Sequence, residues 1–399
     1  MTVALKPVTA PRLRIGFFSE SYLPRISGVV HSVEAFAVAL RQLDHQVVVV
    51  APQYQDYHDA DPDVIRYPSI RQGTDFPLAI PYSPSGWRRL ERLGLDVVHT
   101  HAPFIMGVVG ARLARRLRIP LIFTYHTVYD QYVHYVPWIG PHLTGPIVRA
   151  YAASYANRCD CVVAPSPTIA ARLRTQGVRT RIEVLPTAVT DPAWFSALHP
   201  SWVRAAFGVP ADRALVVTVS RLGKEKSIEL TLEAFALLHQ QHPAEMLVVG
   251  GGPEETALRQ KAASLGITSA VHFAGVLAHR QALECMAAAD VFLFASQTET
   301  QGLVVAEAMA LGVPVVAVGA GGVADTVRSG ETGVLVPPRA EALAVNALRL
   351  LKDPVFRRDI QVHAQAAAAQ FTPEFLGGQL VDLYRSVLPI GKTSRRPTN

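Results

Sequence analysis

The sequence is short of cysteine, short of charge and without a long apolar run, and each shortage removes a class of protein. Three cysteines occur in 399 residues, Cys159, Cys161 and Cys285, and none forms a C-x-x-C pair. That spacing supports neither a disulfide framework nor a zinc site, and it fits a reducing cytoplasm. No apolar stretch approaches the roughly 20 residues that span a bilayer. Residues 1–11 lack the apolar segment of a signal peptide. Charged residues are 18% of the chain against 49% hydrophobic, the balance of a globular enzyme with ample core. No internal repeat of the kind that builds solenoids is present. What charge there is leans one way: the net charge of +6 and isoelectric point near 9.3 favour an anionic partner such as a nucleotide or a membrane surface. No DNA- or RNA-recognition motif accompanies it, so a nucleic-acid binder rests on charge alone.

A chain of 399 residues holds two medium domains. Strands alternate with helices, which predicts parallel α/β sheets. Strands are expected at 13–18, 46–51, 96–100, 120–125, 160–164 and 182–185. The valine run at 46–51 is apolar throughout, as a parallel strand buried on both faces should be. Residues 52–85, rich in Pro, Asp, Tyr and Ser, read as an irregular excursion, and 126–145 as a long aromatic loop before a helix at 146–158. Four prolines between residues 186 and 210 break the alternation and mark a hinge. The alternation restarts at 214–220, continues through strands near 245–249, 271–274, 291–294, 314–318 and 333–336, and closes with helices at 340–352, 354–369 and 373–387. The expected organisation is a tail at 1–11, a first domain at 12–190, a second at 191–387 with its closing helices, and a polar, basic tail at 388–399 expected to be disordered.

The stretch 294–310, F-A-S-Q-T-E-T-Q-G-L-V-V-A-E-A-M-A, carries the densest chemistry. A short apolar strand leads into a polar loop, and helical spacing begins after Gly302. A helix start offers unpaired N–H groups and the positive end of a dipole, which suits a diphosphate. Gly302 lets the backbone approach closely, and Leu303 and Val304 supply the first amides. Glu307 lies roughly 7–8 Å along the axis from Gly302, about the reach from a diphosphate to the ribose of the same nucleotide. Glu299, on the loop, is placed to accept hydrogen bonds from sugar hydroxyls. A loop acid and a helix-surface acid with no shared task are the plainer alternative.

Other candidates follow at predicted strand ends. Gly28, in S-G-V-V, opens a helix whose amides could face phosphates; a simple turn glycine explains it as well. Arg221 and Lys226, in S-R-L-G-K-E-K, follow the strand at 214–220, where α/β folds bind ligands. A guanidinium fork and an ammonium there would neutralise a diphosphate and make Mg²⁺ unnecessary; a solvated basic loop is the alternative. Gly250-Gly251-Gly252-Pro253 is a weak phosphate signal and not a dehydrogenase fingerprint. His126 ends a strand in T-Y-H-T-V-Y, a position more often structural. Arg112, Arg115 and Arg116 share one side of the helix at 104–117, with Arg88, Arg89 and Arg92 as a second cluster. They read as a solvated outer face or as a dock for anionic lipid. Tyr129, Tyr132, Tyr135 and Trp138 belong either to the first domain's core or to a headgroup layer. No metal-ligand cluster is evident, so no metal or other cofactor is expected.

Four of these segments resemble one family. S-E-S-Y-L-P-R-I-S-G-V-V, T-Y-H-T-V-Y-D-Q-Y-V-H-Y-V-P, S-R-L-G-K-E-K and E-T-Q-G-L-V-V-A-E-A-M-A are similar to the retaining glycosyltransferases of family 4, and most similar to the diacylglycerol glucosyltransferases among them. The resemblance covers about residues 13–385. It implies a GT-B fold, with two facing Rossmann-like domains, parallel sheets and an interdomain cleft. It implies donor binding by Gly28, Arg221, Lys226, Gly251, Glu299, Gly302, Leu303, Val304 and Glu307. His126 and Glu299 would form the catalytic face, with His126 bonded to the transferred sugar. Arg112, Arg115, Arg116, Tyr129 and Tyr132 fall on the side expected to meet membrane and acceptor. The implied reaction moves glucose from UDP-glucose to diacylglycerol with retention, at the inner face of the cell membrane, the acceptor attacking on the face the diphosphate leaves. The alternatives are a GDP-mannose-dependent lipid mannosyltransferase and, further off, a nucleotide-sugar epimerase. Ala188 stands where the family often has glycine, and His31 and the excursion at 52–63 depart from the pattern.

Overall fold

A computed structural model describes residues 11–25, 27–71, 77–129, 141–189 and 195–389. Two parallel sheets dominate. The first lobe contains β1 (Arg14–Phe18), β2 (Gln46–Pro52), β3 (Val64–Tyr67), the short β4 (Ser69–Arg71) and β5 (Pro77–Ala79), β6 (Val97–Thr100), β7 (Leu121–Thr124), β8 (Cys161–Ala164) and β9 (Ile182–Val184). Its main sheet runs β3-β2-β1-β6-β7-β8-β9, and β4 and β5 form a separate antiparallel pair. The second lobe contains β10 (Ala214–Val219), β11 (Ala244–Val249), β12 (Val271–Gly275), β13 (Val291–Phe294), β14 (Val315–Val318) and β15 (Val334–Val336), in the order β12-β11-β10-β13-β14-β15.

The central strands are apolar end to end because helices cover both faces. Val47, Val49 and Val50 of β2 and Leu215, Val216 and Val217 of β10 are fully buried. Each lobe has a core on either side of its sheet, one built around Phe17, Val49 and Ile122 and its second-lobe counterpart around Leu232, Met246 and Leu293.

Several boundaries differ from expectation. The excursion at 52–85 contains β3, β4, β5 and the start of the helix Pro84–Glu91, whose short lengths and interspersed prolines hide any period. A proline inside a helix argues for a break, yet the helix expected from 146 begins at Pro141 and carries Pro146 inside it. The hinge region holds the helix Ser201–Ala206. The domain division expected from sequence puts all closing helices with the second lobe. Instead the helix Pro373–Val387 packs on the first, its Leu376, Leu380 and Tyr384 joining the core of Ile15, Val33 and Leu40. The chain thus crosses between lobes twice, and the crossings touch: Val189 N donates to the Phe371 carbonyl at 2.9 Å.

Candidate active site

In both sheets the strand order reverses at the first strand. β1 lies between β2 and β6, and β10 between β11 and β13. Connections leaving neighbouring strands at such a point diverge to opposite faces and open a crevice at the carboxyl ends. The segments singled out from sequence sit there: residues 19–25 and 27–28 after β1, 220–227 after β10 and 295–302 after β13.

On the second-lobe side, Gly302 has φ +86°, and a Cβ would lie 2.8 Å from Val323 Cγ2, so both backbone and space require glycine. It starts the helix Leu303–Ala310 with no side-chain cap. Val305 and Ala306 N–H return to the Gly302 carbonyl, which leaves the Leu303 and Val304 amides without an intrahelical acceptor. Across the crevice Gly28 opens the helix Gly28–Gln42, and a methyl placed on it would stand 3.6 Å from Leu303 Cδ1. Two helix starts therefore converge from opposite lobes.

Lys226 Nζ donates to Glu299 Oε1 at 2.6 Å, both side chains being 16% exposed. Arg221 pairs with Glu225 at 2.6 Å. Burial pushes the Glu225 carboxyl up, but the hydrogen bond from Arg221 and the charges of Arg221 and Lys226 outweigh it and hold the group below its ordinary value. Ser296 and Thr298 hydroxyls donate to the Glu225 carbonyl and tie the two loops together. The glycine turn backs this arrangement: Gly250 has φ +127°, and a Cβ there would fall 1.9 Å from the Ser220 carbonyl oxygen. Leu222 N donates to the Gly251 carbonyl, so the turn packs directly on the Arg221 loop.

Glu307 accepts from His279 Nε2 at 2.9 Å, and His279 lies 4.3 Å, ring to ring, from His31 of the first lobe. Burial works against a charged His279, but the hydrogen bond and charge of Glu307 carry its pKa above the ordinary value. His31 is pushed down by burial and then by His279. Burial raises Glu34 nearby, with His279 opposing.

His126 stands where the lobes meet. Its carbonyl accepts from Thr300 Oγ1 at 3.0 Å, one residue after Glu299, and its Nε2 meets His101 Nδ1 at 2.9 Å. Burial pushes the His126 imidazole down to about 3. Gln301 clamps the chain crossing, accepting from Thr187 N at 2.6 Å and donating to the Thr187 carbonyl at 3.0 Å. The structure thus brings His126 and Glu299 to one junction, with Lys226, Gly302, Leu303 and Val304 around it. Arg221 and Gly251 form the layer behind.

The arginine clusters lie elsewhere on the first lobe. Arg112, Arg115 and Arg116 are exposed while Val109 and Leu113 are buried. With Pro81, Tyr82 and Trp87, the three arginines line an open groove of about 510 Å³. Arg88, Arg89 and Arg92 line a second groove of about 490 Å³. Arg116 also pairs with Glu91. Tyr129 packs edge-on against Tyr125 and Phe104, beside the core rather than out toward a headgroup layer. Tyr132, Tyr135 and Trp138 lie outside the described residues. Among the described residues no helix is long and apolar enough to cross a membrane, and no group of three or more acidic, His or Cys side chains is set to hold a metal ion.

Sequence reasoning missed His101, His279, Thr300 and Gln301. A signal existed for the first: His99 and His101 are two apart at the end of a strand, on one face. The others act across sequence separations that no local pattern reveals.

Residues 26–191 match the family described as Glycosyltransferase Family 4, and residues 203–367 match Glycosyl transferases group 1. The chain is 30% identical to the alpha-monoglucosyldiacylglycerol synthase of Acholeplasma laidlawii, over 94% of this chain and 98% of that one. It is 27% identical to a GDP-mannose-dependent alpha-mannosyltransferase of Corynebacterium glutamicum, over 95% and 90% of the two chains. In fold it is similar to Anabaena HepE, solved with UDP-glucose, with a TM-score of 0.74 at 23% identity across 94% of this chain and 100% of that one. Two facing parallel-sheet lobes, a doubled crossing and family matches on both sides of it place the chain among the GT-B glycosyltransferases, in the family that joins a Family 4 first lobe to a group 1 second lobe.

Proposed function

We propose that this glycosyltransferase moves glucose from UDP-glucose to the free hydroxyl of diacylglycerol, with retention, at a membrane surface. The observation that carries the reading is the full-length similarity to an alpha-monoglucosyldiacylglycerol synthase, joined to a crevice where the Lys226–Glu299 ion pair and an open helix start lie by His126, whose charged form burial disfavours. The diphosphate lies against the Leu303 and Val304 amides, with Lys226 and Arg221 supplying charge, so no Mg²⁺ is required. Glu307 holds the ribose and Glu299 the hexose hydroxyls. Gly28 closes on the phosphates from the first lobe, and Gly251 supports the loop at the nucleotide. The acceptor oxygen forms a bond to the sugar C1 as the bond from C1 to the phosphate oxygen breaks, and the acceptor proton goes to that phosphate oxygen.

Docking falls to the two arginine grooves, which flank the helix Pro84–Glu91. Tyr82, 66% exposed, lines one of them as a contact for the bilayer interface. The chain then works as a cytoplasmic protein bound peripherally to the inner membrane face. A second reading keeps the fold and changes the substrates to GDP-mannose and another lipid alcohol, favoured by the similarity to the mannosyltransferase.

The test incubates the full chain with labelled UDP-glucose or GDP-mannose and vesicles of diacylglycerol in anionic phospholipid. The expected product is an α-glucosyl diacylglycerol formed from UDP-glucose alone. Mannosyl lipid as the only product would install the second reading, and label passing only to soluble sugars would overturn both.

A further inference from the structure

The imidazole nearest the junction has a defined inner neighbour. His101 follows β6 and stacks on His99 at 4.6 Å and on His126 at 5.1 Å. Its Nδ1 meets His126 Nε2 at 2.9 Å, a hydrogen bond in which one nitrogen carries the proton and the other accepts. His101 Nε2 is enclosed and has no hydrogen-bond partner. The inner end of the row is fixed separately: His99 Nδ1 meets Tyr384 Oη at 2.7 Å and its Nε2 meets Thr124 Oγ1 at 2.7 Å. Burial disfavours the charged form of His101 and of His126, so each ring carries one proton.

With one proton per ring, two arrangements exist. If His126 donates from Nε2, His101 must carry its proton on Nε2, where nothing accepts it. If His101 donates from Nδ1, its enclosed Nε2 keeps an unpaired lone pair. A buried N–H without an acceptor costs more than an under-used acceptor and is rarer in folded proteins. The Phe17 ring, centred 4.8 Å away, offers only an N–H to π contact, a weak substitute.

We infer that His101 is a positioning residue that sets the tautomer of His126, donating Nδ1–H to His126 Nε2 so that His126 presents Nδ1–H as a hydrogen-bond donor toward the crevice. This rests on the proposed transfer reaction for its use: the donated bond goes to an oxygen of the bound hexose, and Thr300 holds the His126 backbone in register with the loop that carries Glu299. His126 in this form is a donor at its open nitrogen, not a base, which agrees with the acceptor proton leaving to phosphate. His99, stacked behind His101, is held by Tyr384 on the helix that crosses back from the second lobe.

Long-range ¹H–¹⁵N correlation on the full chain labelled at histidine nitrogen reads the tautomer directly, with His126→Asn identifying the resonances. The expected spectrum shows His126 with a protonated Nδ1 and an unprotonated Nε2 at neutral pH. The opposite tautomer in the wild type overturns the inference. Kinetics give a second readout. Asn keeps a donor near the Nδ1 position and Gln does not, so His101→Gln should lower kcat about tenfold with the donor KM nearly unchanged, and His101→Asn should restore most of that loss. Equal rates for folded Asn and Gln variants, checked by thermal unfolding, also overturn it. Should the wild type transfer no sugar, the proposed function fails, while the tautomer spectrum still decides this inference.

Discussion

The two lobes face the crevice with opposite electrical character. The second presents charges already paired, Lys226 with Glu299 and Arg221 with Glu225, and a His279 hydrogen-bonded to Glu307. The first presents His126, backed by the enclosed His101 and His99, and burial disfavours the charged form of all three. Paired charges can exchange partners at little cost, because an incoming phosphate replaces a carboxylate at the same ammonium. Neutral buried rings cannot take up an ion without paying desolvation, but they suit hydroxyl oxygens. In the proposed reaction that contrast suits Lys226 and Arg221 to the donor diphosphate and His126 to a sugar hydroxyl.

The strongest way to break this comparison is to remove its most central cation. Lys226→Ala should lower kcat/KM for the donor about a hundredfold, since it removes a charge-assisted contact and leaves Glu299 unpaired. Steady-state kinetics with varied donor check it, and unchanged kinetics would take Lys226 out of the phosphate site. A smaller effect is expected of Glu299→Gln, about tenfold in kcat with UDP alone still bound. Loss of UDP affinity in that variant would move Glu299 from the sugar to the nucleotide.

Much of this organisation was readable beforehand, for physical reasons. Apolar runs such as Gln46–Pro52 announce buried parallel strands, and a glycine between a polar loop and an apolar helix announces a helix start with open amides. The Lys226–Glu299 pair joins residues 73 apart, and Gln301 reaches back 114 positions to Thr187. The first depends on how β10 and β13 come to lie side by side and the second on where the chain crosses between lobes, which periodicity does not encode. The same holds for Tyr384, whose helix pattern is ordinary but whose partner lies in the other lobe. Arg112, Arg115 and Arg116 were legible as one face. The groove they form with Tyr82 and Trp87 was not, because the intervening segment is too broken by proline to read.

Two further tests sharpen the comparison. Arg115→Gln should weaken binding to anionic vesicles about fivefold, near 1 kcal/mol, and spare hydrolysis of the donor. Vesicle flotation checks it, and undiminished binding would make the cluster solvated surface. The smallest effect concerns pH. The folded-state pKa of His279 is raised, so its contribution to stability is full below its unfolded value and is lost as pH rises through the folded one. The folded-state pKa of His31 is lowered, so its contribution is full above its unfolded value and is lost as pH falls through the folded one. His279→Ala should therefore flatten the alkaline limb of a thermal stability profile, and His31→Ala the acid limb. Interchanged limbs would mean that the facing rings titrate in the opposite order.

Calorimetric titration of UDP into the wild type, Lys226→Ala and His126→Ala compares the two sides in one experiment. If Lys226 of the second lobe grips the anion and His126 of the first meets only the hexose, Lys226→Ala weakens UDP about a hundredfold, while His126→Ala leaves its affinity within about twofold. Equal losses in both variants, or the larger loss in His126→Ala, would contradict that division.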